Sequence, residues 1–331
     1  APLFLIACTF FCGCGFFYVF HSANQLKRAD AREFIVDKTE VAPITSIEIQ
    51  TRIADVEFLR SDSFAVEIDY LYWDREPDYE LKDGKLYFDD SASFPNSYSI
   101  DFNLHNTIKV YLPKDSAMNS VSIEDASGDV DITGFAAVEL DVTVSYGDLT
   151  IQEASAASAE ITLASGSSRI SDFNVGTLDY TNSYGDAKFT NINSGEYSLP
   201  KGASSKECNI SMSSGDVDIN GMYSPQVDIR NAYGDVSCEN FLADTAKFDL
   251  SSGKLLVQKG HINHADIENS YGDVTLKLSG PASDYALDLD TFYGKVKVDG
   301  ESYEEHVKQN GNGSKSIKAN LSSGDVTVDF E

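Results

Sequence analysis

Positive charge is in short supply in this chain: 25 Lys and Arg stand against 53 Asp and Glu, a formal charge of −28. A field of that sign repels phosphate backbones and anionic headgroups, which argues against nucleic acid as a partner. It suits solubility first, and weak divalent-cation binding or a basic partner second. Histidine is sparse and scattered (His21, His105, His261, His264, His306), and the pair His261 and His264 has no evident third ligand for a metal. Neither a Gly-x-Ser-x-Gly elbow nor a phosphate loop occurs. Nor is there the isolated acidic pair, or positioned Arg or Lys base, that polysaccharide-cleaving β-helices need. No catalytic residue, cofactor or metal ligand is therefore assigned, and an enzyme is not expected. Of the 5 Cys, three (Cys8, Cys12, Cys14) sit in an apolar run, while Cys208 and Cys238 fall at core positions of the repeat below, so no disulfide framework is indicated. Proline is scarce at 8, whereas Gly (23), Tyr (17) and Phe (19) are plentiful, a composition suited to many short strands and tight turns.

The run Leu3 to Phe20 carries no charge over 18 residues, about the length that spans a bilayer as a helix. Residues 1–20 are read as a membrane anchor, with a cleaved signal, or a lipoprotein modified at Cys8, as alternatives. Residues 21–43 turn polar and read as a juxtamembrane linker. From 44 to 126 short alternating runs such as Asp55-Val56-Glu57-Phe58 and Ile108-Lys109-Val110-Tyr111 mark strands with one buried face. They are expected to form an N-terminal β-cap of irregular coils that shields an open edge.

Residues 127–331 repeat. Turn glycines at 128, 147, 166 and 185, then 215, 234, 253 and 272, give two blocks of three 19-residue intervals, and Gly294 and Gly324 extend the series. Two longer steps hold Asn193 to Pro200 and Glu301 to His306, each read as a coil with a surface loop inserted. Two positions after the glycine stand Val130, Leu149, Val217, Val236 and their equivalents, with Ser168 and Ala187 as exceptions. Four after it stand Ile132, Ile151 and Phe189, and five before it Val142, Ile161 and Tyr180. One coil cannot bury such faces alone, so stacking must close the core. The expected fold is an all-β, single-domain parallel β-solenoid with coils of about 19 residues.

Just before each glycine, Ser and Tyr alternate: Ser127, Tyr146, Ser165, Tyr184, Ser214, Tyr233, Ser252, Tyr271, followed by Tyr293 and Ser323. Two residues earlier, Leu163, Met212, Leu250 and Leu321 accompany Ser, and Asn182, Asn231 and Asn269 accompany Tyr. If both positions point inward, the volumes compensate between neighbouring coils. The competing reading is an outward row of Tyr that stacks on sugar rings. Just after the glycine come Asp129, Asp148, Asp186, Asp216, Asp235, Asp273 and Asp325, interrupted by Ser167, Lys254 and Lys295. Coils stacked at ~4.8 Å would bring these carboxylates into a column. Calcium could neutralise it; the simpler expectation is that each Asp bonds the backbone of its own turn.

The run Ile108-Lys109-Val110-Tyr111-Leu112-Pro113, then Val121-Ser122-Ile123-Glu124, then Ser127-Gly128-Asp129-Val130-Asp131-Ile132, with its recurrent Ser-Tyr-Gly-Asp and Ser-Ser-Gly-Asp turns, resembles the putative adhesin family of bacterial β-strand-repeat proteins, DUF4097. The resemblance runs from about Ile44 to Glu331. It implies a β-solenoid outside the cell membrane, commonly anchored there, and it brings no catalytic residues. The expected role is non-enzymatic: adhesion or scaffolding at the cell surface, with an unknown glycan or protein as partner and the membrane held through the N-terminal helix. An envelope-stress sensor ectodomain and a carbohydrate-active enzyme on a β-helix are the alternatives.

Overall fold

The computed structural model describes residues 31–93, 105–114, 116–193 and 207–331. The expected membrane segment and most of the first insertion lie outside them. Among the described residues no helix is long and apolar enough to cross a membrane.

The body is one continuous stack of parallel coils. A regular coil is a long bent strand, as in Leu149–Ser165, Ser168–Tyr184, Val217–Tyr233, Val236–Ser252 and Leu255–Tyr271. In each, seven positions face inward, the second, fourth, seventh and ninth after the turn glycine, and the seventh, fifth and third before the next; all carry a side chain except Gly260. In the coil of Gly147 these are Leu149, Ile151, Ala154, Ala156, Ala159, Ile161 and Leu163, all buried. Period-2 alternation puts them there, and its phase is reset at a corner six residues after the glycine. That corner holds a left-handed residue in coil after coil: Gly134, Glu153, Asp172, Asn191, Gly221, Asn240 and Lys259. Gly, Asn and Asp accept this conformation readily. Glu153 and Lys259, which accept it less readily, are ion-paired there with Arg60 and Glu239.

Parallel registers place like positions over one another, so each inward column is a ladder. Cys208 and Cys238 occupy two such columns as buried free thiols, the core positions expected of them. Volume does compensate in the core, around the two sequence exceptions. The small Ser168 leaves room for buried Tyr180, whose hydroxyl lies 2.7 Å from Ser168 Oγ, and Tyr180 packs edge-on to Phe189.

The coils are not stacked wholly in chain order. At the C-terminal end the last coil threads between two earlier ones: Lys315–Ser323 lies between Leu255–Tyr271 and Tyr285–Tyr293, and Val326–Phe330 between Val274–Leu278 and Val296–Val298. The N-terminal end mirrors this. Ser46–Thr51 lies between Lys85–Asp89 and Ala117–Asp125, and Ala54–Ser61 between Asn106–Pro113 and Val130–Thr133. The regular register therefore already includes Ala54-Asp55-Val56-Glu57-Phe58, within the stretch expected to be irregular.

Antiparallel strands close both ends. Ala65–Tyr72 pairs with Asn106–Pro113, and Arg32–Glu40, in the stretch read as a linker, pairs with Ala65–Tyr72. Its alternating Phe34 and Val36 pack on the core cluster, which is why it is a strand rather than a tether. Glu301–Tyr303 and His306–Gln309 pair back on Val296–Val298 and Tyr285–Tyr293. The second insertion is thus an end cap and not a surface loop: its backbone groups satisfy an edge that would otherwise be open.

Candidate functional site

The turns form a regular edge along the stack. Its spacing is set by the glycines. A Cβ on Gly166, Gly185, Gly215, Gly234, Gly253 or Gly272 would lie 1.8–2.1 Å from the carbonyl oxygen of the glycine in the coil beneath, and φ at these six is +128 to +142°. Only glycine fits both the contact and the conformation.

Next to this column the aspartates form a hydrogen-bonded ladder. Asp129 N donates to Asp55 Oδ1 at 3.0 Å, Asp148 N to Asp129 Oδ1 at 2.8 Å, and Ser167 N to Asp148 Oδ1 at 2.8 Å. The pattern resumes from Asp216 N to Asp186, Asp235 N to Asp216, Lys254 N to Asp235, Asp325 N to Asp273 and Lys295 N to Asp325. Each carboxylate serves the next coil, not its own turn as expected. The ladder engages every one of these carboxylates without requiring a cation. Threading also explains Lys295: it ends the column, where no further coil donates to it.

Threading likewise restores the Ser/Tyr alternation. In chain order Tyr293 follows Tyr271, but in space Ser323 lies between them, paired in register with both. The inward expectation for this row is wrong. Tyr146, Tyr184, Tyr233, Tyr271 and Tyr293 are 55, 52, 65, 65 and 70% exposed, among the most exposed large apolar side chains described. Only the residue two earlier is buried. The parity of the strand breaks between them at every turn, including Tyr146 with Val144 two residues earlier; where that residue is Asn, the amide braces the turn: Asn182 Oδ1 accepts Tyr184 N–H, and Asn182 Nδ2 donates to Gly166 O and Gly185 O. Asn269 makes the same bonds to Tyr271 N, Gly253 O and Gly272 O. Asn231 Nδ2 reaches Gly215 O and Thr291 Oγ1 reaches Gly324 O. The polar inward residue clips a Tyr turn to the Ser turn beneath it and leaves the ring outside.

At the N-terminal end the same inward column holds Asp90, Thr51 and Asp125, all buried. Asp90 Oδ2 accepts hydrogen bonds from Tyr70 OH, from Thr51 Oγ1 at 2.8 Å and from Arg52 N at 2.8 Å, yet burial raises its pKa. Asp125 Oδ1 accepts Ser127 N–H, the bond an Asn makes in other coils, but its buried Oδ2 has no donor. Burial, with Asp55, Asp90 and Asp129 adding repulsion, pushes its pKa up to about 8.

Two other features concern chemistry. Asp288, Asp290 and His306 bring ligand-type atoms within 4.8 Å of one another. His306 Nδ1 is 2.9 Å from Asp290 Oδ1, and Asp288 Oδ2 is taken by Lys308 Nζ at 3.2 Å. His261 and His264 fall outside this group, and His264 Nδ1 is 3.0 Å from Ser316 Oγ. A shallow depression on the Asp78–Lys82 hairpin is lined by Glu80, Lys82, Asp83, Lys85 and Tyr87, and Lys85 is paired with Glu48. The sequence did not reveal the His306 group, because strand pairing at the threaded end assembles it.

A family model described as Toastrack DUF4097 matches residues 44–199 and again 174–329, each match taking in one threaded end. Two solved structures align over most of the chain. A putative adhesin from Bacteroides fragilis is 10% identical with a TM-score of 0.30, over 91% of this chain and 97% of that one. A putative cell adhesion protein from Clostridium sporogenes is 14% identical with a TM-score of 0.19, over 91% and 100%. TM-scores this low add nothing to the account of this chain. No curated protein matches it.

Proposed function

The chain belongs to the Toastrack DUF4097 family, and from that premise we propose that it is a non-enzymatic binding module of the cell surface that holds an extended glycan along its tyrosine edge. The observation that carries this reading is the exposed Tyr on every second coil. Two coil steps separate successive rings, ~9.6 Å. In a β-1,4-linked glycan alternate sugars present the same face, so a row of rings at a two-coil pitch can stack on every second sugar. The row is flanked by small residues: the intervening turns carry Ser165, Ser214 and Ser252, and the residue before each Tyr or Ser is Ser or Ala from Ala126 to Ser270. Each exposed contact is weak, and affinity comes from engaging several at once. The apolar run at residues 3–20 supports an anchor, and the family resemblance supports display outside the membrane.

Retention of the chain on immobilised polysaccharides tests it. A variant with Tyr146, Tyr184, Tyr233 and Tyr271 all changed to Ala keeps the buried columns intact and is expected to lose retention while its circular dichroism is unchanged. Equal retention of variant and parent would refute the reading.

A further inference from the structure

The tyrosines do not stand alone. In four turns the ring is followed two residues later by an exposed carboxylate: Tyr146 and Asp148, Tyr184 and Asp186, Tyr233 and Asp235, Tyr271 and Asp273. The Asp row is broken inside the stack at only two places, Ser167 and Lys254, and both belong to Ser turns. The two-coil unit of ring plus carboxylate is therefore unbroken from Tyr146 to Tyr271. At Tyr293 the unit changes: Lys295 replaces the carboxylate, and Phe292 replaces the small neighbour and packs edge-on against Tyr293 at 4.7 Å. In Asp148, Asp186, Asp235 and Asp273, Oδ1 accepts the backbone N–H of Ser167, Asp216, Lys254 and Asp325 respectively. One oxygen of each carboxylate thus remains for a ligand.

We propose that the glycan held on this edge is a cationic one, a β-1,4-linked amino-sugar polymer with free ammonium groups, seated with one disaccharide per Tyr/Asp unit. This rests on the glycan reading above. Stacking on Tyr requires only a sugar face, whereas the carboxylate two residues away gives an ammonium on the same or the adjoining sugar an opposite charge to meet. The ring face itself attracts the cation. The net charge of −28 draws in a polycation and turns away uronic-acid and sulfated polymers. A single exposed ion pair discriminates little, but four in register multiply.

The test measures binding of the full chain to four polymers: partly deacetylated β-1,4 N-acetylglucosamine polymer, its fully acetylated form, β-1,4-glucan, and a uronic-acid-containing polymer. The deacetylated form is expected to bind at least about tenfold more tightly than the acetylated one, with a preference that falls as salt rises. Changing Asp148, Asp186, Asp235 and Asp273 together to Asn keeps the Oδ1 acceptors and is expected to bring that ratio close to one while Tyr-dependent binding to the neutral polymers remains. Equal binding of acetylated and deacetylated forms, or a ratio unmoved by the Asn variant, overturns this proposal and leaves the glycan reading standing. If no polymer binds, both fall. A basic proline-rich peptide that binds where the polymers do not also overturns both, since a polyproline II helix repeats every ~9.3 Å.

Discussion

Replacing Asp125 with Asn is expected to make the protein more stable at neutral pH, although a charge-bearing residue with a hydrogen bond is being removed. Asp125 sits where Asn182, Asn231 and Asn269 sit in other coils, and like Asn182 and Asn269 it accepts a backbone N–H two residues on. It lacks their second bond, the amide donated to the carbonyl of the turn beneath, and its Oδ2 is buried without a donor. The pKa rise from 3.8 to about 8 means that the folded chain holds a proton the unfolded chain releases. Its contribution is therefore intact below about pH 4 and is lost as pH rises towards 8, at about 1.4 kcal/mol per pH unit, and is level above that. By pH 7 the loss amounts to about 4 kcal/mol relative to a residue that never ionises. The substituted amide would remove that loss and supply the missing donor. Urea denaturation of parent and variant, at about pH 4 and about pH 7, reads the difference. The variant's advantage must grow by several kcal/mol between the two. An advantage that is the same at both, or a variant less stable at pH 7, would refute the placement of a neutral carboxyl at this position.

Two further outcomes follow from the turn edge. Gly215→Ala places a methyl group about 2.1 Å from Gly185 O at φ +129°, and is expected to cost about 2–4 kcal/mol in the same assay; a loss below about 1 kcal/mol would mean the coils are not held at this contact. Asp235→Ala leaves the Lys254 N–H without its acceptor and is expected to cost about 1 kcal/mol, while Asp235→Asn, which keeps an acceptor, costs less. Equal losses would show that charge and not the ladder bond is what matters there.

The coil itself was legible because its signals are local. The glycine spacing and the apolar positions on either side follow from period-2 alternation and from a contact that excludes any Cβ, and the inward columns built on Val130, Ile151 and Val236 lie where the pattern put them. The candidate site was less legible, for two reasons. Alternation was carried through the turn, yet the chain rotates as it enters the glycine, so Tyr184 and Asn182, like Tyr146 and Val144, end on opposite sides despite their spacing. Chain order was also taken for spatial order. The place of Ser323 between Tyr271 and Tyr293, and of Lys295 at the end of the Asp ladder, depends on pairing between segments some 50 residues apart, which a one-dimensional pattern does not encode. The early coil at Ala54-Asp55 escaped for a smaller reason: it carries Ala where the later turns carry Gly.

The threaded coils at the two ends fix where such a protein can change its length. A coil appended beyond Gly294 would meet an edge already occupied by Glu301–Tyr303 and His306–Gln309, and one added before Ser46 would meet Lys85–Asp89. Growth or loss is open only in the middle, between Gly147 and Gly253, where chain order and spatial order agree. Even there a single coil would set Tyr above Tyr, or Leu above Leu, according to its type. The unit of change is a pair of coils, 38 residues in this chain's spacing from Gly215 to Gly253, and each such step would lengthen the edge by ~9.6 Å and add one Tyr station.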